Sequence, residues 1–301
     1  MRQTIKRKVE PKLYVSYSSF KTFKNCPEMY NQLFILPRED TEDKVPFDSY
    51  DASVGTAIQA IFEHIINKNI EYTDTDKFHK KIQDDIFTLS DMLIPIDRYS
   101  FENSKVYVDD NHIVTKFSKF AVDTSEKSLK AVRQRFILDV LKMYHKPLKK
   151  MSSLYDLSKM SSEIKMKKEY KDFTLIGTLD FVYFNEKGSI DIIDGKKQYN
   201  PAWIDDEQLR IYTLLAKHHY KLKVRKTGFW DWSSNKLINR PFTEKELLNT
   251  LESLLDFKVK LDKAKVTNKF RRKVGFHCRW CPIQEQCPNN KKETVDGLVS
   301  F

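Results

Sequence analysis

Asp194 and Lys196 stand two apart at the end of the apolar run from Ser189 to Lys196. Side chains alternate along a strand, so this spacing puts a carboxylate and an ammonium on one face, the face of Ile190 and Ile192. A second apolar run ends at Phe184, and Asn185-Glu186-Lys187-Gly188 separates the two, which is a β-hairpin signal. A register centred on Glu186 and Lys187 brings Asp180 up to Asp194 across the ladder. Two carboxylates and a lysine gathered in this way suit metal-dependent hydrolysis of a phosphodiester. The carboxylates hold one or two divalent cations, which polarise the phosphate and acidify a bound water. Hard oxygen ligands select Mg²⁺ or Mn²⁺. Lys196 would orient the attacking water or stabilise the charged transition state, and Gly195 would leave its backbone carbonyl free as a further ligand. Asp-x-Lys alone fits a solvated surface hairpin better, since charged residues are common on exposed strands.

The flanking elements must hold these groups in place. Ser162 to Tyr170 is expected to be a first strand, followed by the strand carrying Asp180, with Glu163 either at a solvated strand end, the reading favoured, or adding a carboxylate at the cleft edge. A helix is expected from about Asp205 to Tyr220, capped by Asp205 or Asp206, with Gln208 and Tyr212 one turn apart on one face. Lys226 to Ser234 forms a further strand. The order strand, strand, strand, helix, strand predicts an α/β fold with a mixed sheet. Thr243-x-x-Glu246 is a capping box opening a helix to about Lys265. The N-terminal half is expected to be mostly helical. Ser16 opens a short helix that breaks at Cys26-Pro27, and 37–50 is a charged loop. Asp51 to Asn67 is amphipathic with Ile58, Ile61, Phe62 and Ile65 on its core side, and Gln59 and Glu63 share another face. A helix is expected over 73–93, and a long one over 117–145.

The chain has 301 residues, enough for a sizeable core, with Lys and Arg exceeding Asp and Glu by 53 to 42. The net charge of +11 favours a polyanionic partner, DNA or RNA rather than a membrane. Neither an apolar signal segment nor a membrane-length run is evident, which predicts a cytoplasmic protein. Lys269, Arg271, Arg272 and Lys273 lie beside Phe270, Phe276 and Trp280, a pattern suited either to gripping a phosphate backbone or to a solvated loop. Four cysteines in a reducing compartment are not expected to form disulfides. Cys26 is remote from Cys278-x2-Cys281-x5-Cys287, and the two chain ends would meet if all four held one metal centre.

Gly177-x-x-Asp180, the hairpin, Asp194-x-Lys196 and Gln208-x3-Tyr212 together resemble the PD-(D/E)XK nuclease superfamily, in particular its RecB-like exonuclease branch. That branch includes the CRISPR-associated iron–sulfur exonucleases and the nuclease domains of helicase–nucleases. The resemblance implies a restriction-endonuclease-like fold flanked by helices and a metal-dependent exonuclease acting on DNA ends or single strands. Asp180 and Asp194 would be metal ligands, Lys196 the catalytic lysine, and Gln208 and Tyr212 would line the DNA side of the site. It further implies that Cys26, Cys278, Cys281 and Cys287 ligate a [4Fe–4S] cluster stapling the two chain ends, with Zn²⁺ as the alternative. Three segments of one compact unit follow: 1–160, a cysteine segment and helical region; 161–235, the nuclease core; and 236–301, a helix and cysteine segment. Family members usually carry histidine as a metal ligand where this chain has Gln59, so the second metal site departs from the pattern, with Glu63 a turn away. A structure-selective or restriction-type endonuclease is an alternative, as is an inactive DNA-binding accessory subunit. A helicase or recombination partner is a further expectation of the resemblance, and the sequence does not fix the oligomeric state.

Overall fold

The computed structural model describes residues 12–36, 50–82, 106–108, 113–115, 126–202, 204–281, 283 and 287. In chain order its elements are β1 (Tyr14–Val15), α1 (Tyr17–Asn25), α2 (Pro27–Tyr30), α3 (Tyr50–Asn67), α4 (76–82), β2 (Val106–Val108), β3 (Ile113–Thr115) and α5 (Glu126–Leu154). Then follow β4 (Met160–Glu169), β5 (Thr174–Phe184), β6 (Ser189–Lys196), α6 (Glu207–Tyr220), β7 (Lys223–Asp231), β8 (Lys236–Asn239) and α7 (Glu244–Thr267). The expected 37–49 loop, the 83–93 part of the second helix and the start of the long helix before Glu126 lie outside the described residues.

The main sheet is mixed. β4 and β6 flank β5 antiparallel, β7 joins β6 in parallel, β8 closes as a hairpin on β7, and β1 lies parallel to the start of β5. Helices cover both faces, as an α/β sheet with a central parallel pair requires. Because β6 is buried on both sides, its isoleucines divide between two cores. Ile190 and Ile192 pack with Ile211 and Leu215 of α6, Leu254, Phe257 and Leu261 of α7, and Phe20 and Phe23 of α1. Ile193 packs on the opposite face with Ile58, Ile61, Phe62 and Ile65 of α3 and Val140 and Tyr144 of α5. The cysteine-bearing N-terminal segment and the C-terminal helix thus share one apolar cluster with the sheet.

Several boundaries differ from expectation for identifiable reasons. Helix α5 runs through Pro147 to Leu154 rather than stopping at His145, because Leu148 and Met151 beyond the proline are buried in the core and their packing outweighs the lost hydrogen bond. Asp206 occupies the cap position of α6 without capping it, and Asp205 Oδ1 instead accepts from the Glu207 N–H at 3.1 Å. The short strands β1, β2, β3 and β8 were not anticipated, being two to four residues long and without a full alternation to read. The capping boxes at Ser16 and Thr243 form with both reciprocal hydrogen bonds.

Candidate active site

Asn185 to Gly188 forms the turn between β5 and β6, and its tightness fixes the register: Phe181 lies opposite Ile193 as the last ladder pair, and Asp180 and Asp194 follow directly beyond it. Asp180 Oδ2 accepts from the Gly195 N–H at 2.8 Å, which ties its carboxylate to the end of β6. Lys196 Nζ lies 2.5 Å from Asp194 Oδ2 and also sits over the Phe229 ring of the adjoining strand. Gln208, on the first turn of α6, donates through Nε2 to Asp194 Oδ1 at 2.9 Å and lies 3.0 Å from the Tyr212 hydroxyl. Five of the residues singled out from sequence therefore meet at the C-terminal end of β6.

Two glycines make this approach feasible. A Cβ on Gly177 would stand 2.8 Å from Leu215 and 3.3 Å from the Tyr212 ring, so its absence lets α6 settle against β5. A Cβ on Gly195 would stand 2.2 Å from the Trp232 indole and 3.0 Å from Gln59 Oε1. Gly195 therefore admits both Trp232 and the amide of Gln59 to the back of the site.

Gln59 donates through Nε2 to Glu163 Oε1 at 3.1 Å, which leaves Oε1 buried with no hydrogen-bond partner. Asp194 Oδ2 is likewise buried without a hydrogen bond of good geometry, despite its ion pair. Orphaned acceptors of this kind are uncommon in native structures, and an ordered water or an ion is one of the things that satisfies them. Glu163 does not end in solvent, the favoured expectation, but reaches into this group as the cleft-edge alternative has it. Its backbone has φ of +52°, unusual for a side-chain-bearing residue in a strand. Leu179 and Phe181, two apart on β5, pack into opposite cores, so the alternation breaks at Asp180, facing Glu163. Such an irregularity re-aims a side chain. Pattern reading does not reveal it, because Ser-Glu-Ile-Lys alternates normally.

The electrostatics are those of crowded negative charge. Burial, then the charge of Asp194, lifts the Asp180 carboxyl well above its ordinary 3.8, and Lys196 and the Gly195 N–H offset this only partly. Burial raises Asp194 too, against the pull of Lys196. For Lys196 burial opposes the charge, but Asp194 and Asp180 outweigh it and raise its pKa, so the ammonium persists. Burial and then Asp194 push the Tyr212 hydroxyl up, and it stays protonated. Glu63, one turn beyond Gln59, is raised by burial and then by Glu163. A divalent cation would relieve every one of these carboxylate shifts. The donor set of carboxylates plus a neutral amide oxygen fits a hard cation.

Helix α1 forms a further wall. Lys24 clasps Glu207 at 2.8 Å, and the Tyr17 hydroxyl donates to Asp205 at 3.1 Å. At the other end of α1, Cys26 packs with Met29 and Ile283, and Cys281 lies against them. Burial raises the Cys281 thiol, the Ile283 N–H lowers it in part, and the charges of Cys278, Cys26 and Cys287 raise it further, so the four sulfurs share one neighbourhood. Lys269, Arg271 and Arg272 are exposed and line an open groove with Glu28, Asn31 and Phe270, while Lys273 donates to the Lys24 carbonyl at 2.9 Å. The Trp280 side chain lies outside the described residues.

Among the described residues no helix is long and apolar enough to cross a membrane. No curated protein matches the chain. Among solved structures it is similar to a "putative exonuclease" from Eubacterium rectale, at 12% identity over 93% of both chains with a TM-score of 0.45. It is also similar to SSO0001, at 17% identity over 55% of this chain and 75% of that one with a TM-score of 0.29. A third is VC1899 from Vibrio cholerae, at 13% identity over 83% of this chain and 57% of that one with a TM-score of 0.23. At these scores the likenesses decide neither fold nor activity. A family model for the PD-(D/E)XK nucleases matches residues 14–288, nearly the whole chain, and includes the hairpin, Asp194-x-Lys196 and Gln208. With its mixed sheet and covering helices, this chain belongs to the PD-(D/E)XK nuclease superfamily and has its restriction-endonuclease-like fold.

Proposed function

We propose that the chain is a deoxyribonuclease that requires Mg²⁺ or Mn²⁺ and degrades DNA from its ends or in single strands. The observation that carries this reading is the convergence of Asp180, Asp194 and Lys196 beside a Gln59 oxygen with no hydrogen-bond partner and an Asp194 oxygen held only by its ion pair. Asp180, Asp194, the Gly195 carbonyl and Gln59 would hold the cation, with Glu63 and Glu163 next to them. When bound there, it supplies neutralising charge for the phosphate and a more acidic water. Lys196, kept protonated by its two aspartates, offers a positive donor to a phosphate oxygen or to the attacking water. Gln208 fixes the Asp194 carboxylate through Oδ1 and leaves Oδ2 for other work. Gln59 keeps an oxygen where the family has an imidazole, which supports an active enzyme over an inactive accessory subunit.

End-directed cleavage rests on the resemblance to the exonuclease branch, and the exposed Lys269, Arg271 and Arg272 groove suits a strand backbone on its way to the site. Labelled linear and closed circular DNA separate the readings. Mg²⁺-dependent release from linear ends, none from closed circles, and loss in Asp194→Ala and Lys196→Ala is expected. Nicking of the circles would instead assign an endonuclease, and equal cleavage by wild type and both variants would refute the site.

The same reading places a [4Fe–4S] cluster on Cys26, Cys278, Cys281 and Cys287. Cysteine thiolates, one per iron, are the ligands such a cluster takes, and Zn²⁺ accepts the same four sulfurs. An anaerobic preparation should be brown and lose its visible absorption in Cys281→Ser. A colourless protein with zinc on these thiols would overturn the assignment.

A further inference from the structure

Away from β6, on the side of the sheet covered by α3 and α5, a second polar group has no part in the nuclease reading. Asp74 precedes α4, His79 lies within α4, and His145 lies on α5. His145 Nε2 is 3.0 Å and His79 Nε2 is 3.3 Å from the same oxygen, Asp74 Oδ1, and all three atoms lie within 4.8 Å of one another. Lys149 takes the other oxygen, Oδ2. His79 Nδ1 is 3.0 Å from the Tyr144 hydroxyl. The Tyr144 hydroxyl can accept from Nδ1–H, which leaves the Nε2 lone pair of His79 facing Asp74 and open to a metal ion, or donate to Nδ1, in which case Nε2–H donates to the carboxylate.

The geometry points to a binding site for a dication of the zinc class, held by Asp74 Oδ1 and the Nε2 atoms of His79 and His145. Ligands about 2.0–2.1 Å from a tetrahedral ion stand roughly 3.3 Å apart, close to the two separations seen here. Nitrogen donors also distinguish this site from the all-oxygen centre at β6, since imidazole suits zinc and hard carboxylate sets suit magnesium. Tyr144 would fix the tautomer and orientation of His79 from behind. Lys149 would hold the carboxylate from its far side. The site is an anchor rather than a reaction centre. It would clip the chain ahead of α4 to α5, and α4 carries Phe78 and Ile82 into the core that also holds α3.

Zinc content and melting temperature of the full chain, stripped with chelator and re-exposed to ZnCl₂, test this. Wild type should retain one more zinc per chain than His145→Ala or Asp74→Asn, and zinc should raise the melting temperature of wild type alone. Tyr144→Phe should weaken zinc binding about tenfold while leaving the zinc count at saturation unchanged, an effect that a mere ion-pair network would not show. The Mg²⁺-dependent nuclease activity of these variants should be that of wild type. If His79→Ala fails to fold, Asp74→Asn and His145→Gln, both at partly exposed positions, decide the matter. Equal zinc content in wild type and every variant, or zinc lost only in Cys281→Ser, would assign the metal to the cysteines and leave the histidines as an ordinary ion-paired cluster.

Discussion

Asp191 and Asp194 lie three residues apart on β6, at 0% and 1% exposure. Asp191 faces the α5 side and is fully matched: Arg225 of β7 donates to both of its oxygens, at 2.9 and 2.5 Å. Asp194 faces α6, shares Lys196 with Asp180, and keeps an oxygen without a proper hydrogen bond. Burying a carboxylate costs several kcal/mol unless its partners restore what water supplied. At Asp191 they do, and the result is a strut. At Asp194 they do so incompletely, and the deficit is what a cation can satisfy. The same residue type on the same strand is thus fully matched in one place and incompletely matched in the other.

Exchanging each aspartate separates these roles. Asp194→Asn should lower the cleavage rate by about 10³-fold or more, because it removes a cation ligand and the counter-charge of Lys196, while leaving the melting temperature equal or higher. A variant that cleaves within tenfold of wild type would put the reaction elsewhere. Asp191→Asn should do the reverse. Breaking a buried pair costs about 3–5 kcal/mol. Here about 2–3 kcal/mol is expected, since Arg225 is 44% exposed and can turn to water. Urea denaturation measures the loss, and cleavage per folded molecule in Mg²⁺ should not change. A large drop in that specific rate would mean that Asp191 takes part in the site.

The contrast has a pH signature as well. Asp180 and Asp194 are both raised in the folded chain, so the native state binds more protons than the unfolded one as pH climbs from about 4. Without a cation, stability should therefore fall as pH rises through the raised values. Saturating Mg²⁺ should abolish the slope. By the same linkage Mg²⁺ affinity should rise by up to tenfold per pH unit for each proton that binding displaces across that window, and level off once the pair is ionised. Calorimetric titration with Mg²⁺ at a series of pH values reads this directly. A flat affinity would show that the pair is already ionised when empty.

Much of this centre was legible before any coordinates. The turn at Asn185 to Gly188 and the alternation of β6 fixed which residues could face which, and a carboxylate two residues from a lysine is conspicuous at the end of an apolar run. Other parts were not. Arg225 lies 34 residues from Asp191, and nothing local marks the two as partners, so the fully paired aspartate and the proposed metal ligand look alike in the sequence. Gly177 and Gly195 are needed for what packs against them, Leu215, Tyr212, Trp232 and Gln59, and those contacts exist only in the fold. Strand β8 was too short to show a period, and Pro147 gave a stop signal that the buried residues after it override.

Glu163 carries the least conspicuous part of the comparison, because its importance lies in its backbone as well as its carboxylate. A residue other than glycine held at φ of +52° within a strand costs about 1 kcal/mol, and glycine would not bear that cost. Glu163→Gly should thus lose the acceptor for Gln59 while relieving the strain, giving a stability change within about 1 kcal/mol of zero. Glu163→Ala loses the same acceptor but keeps the strain, and should be the less stable of the two. Both should weaken Mg²⁺ binding by a similar factor of a few, because Gln59 is no longer oriented by its amide nitrogen. If the alanine variant were the more stable, the left-handed backbone would carry no strain, and the break in alternation at Asp180 would need another cause.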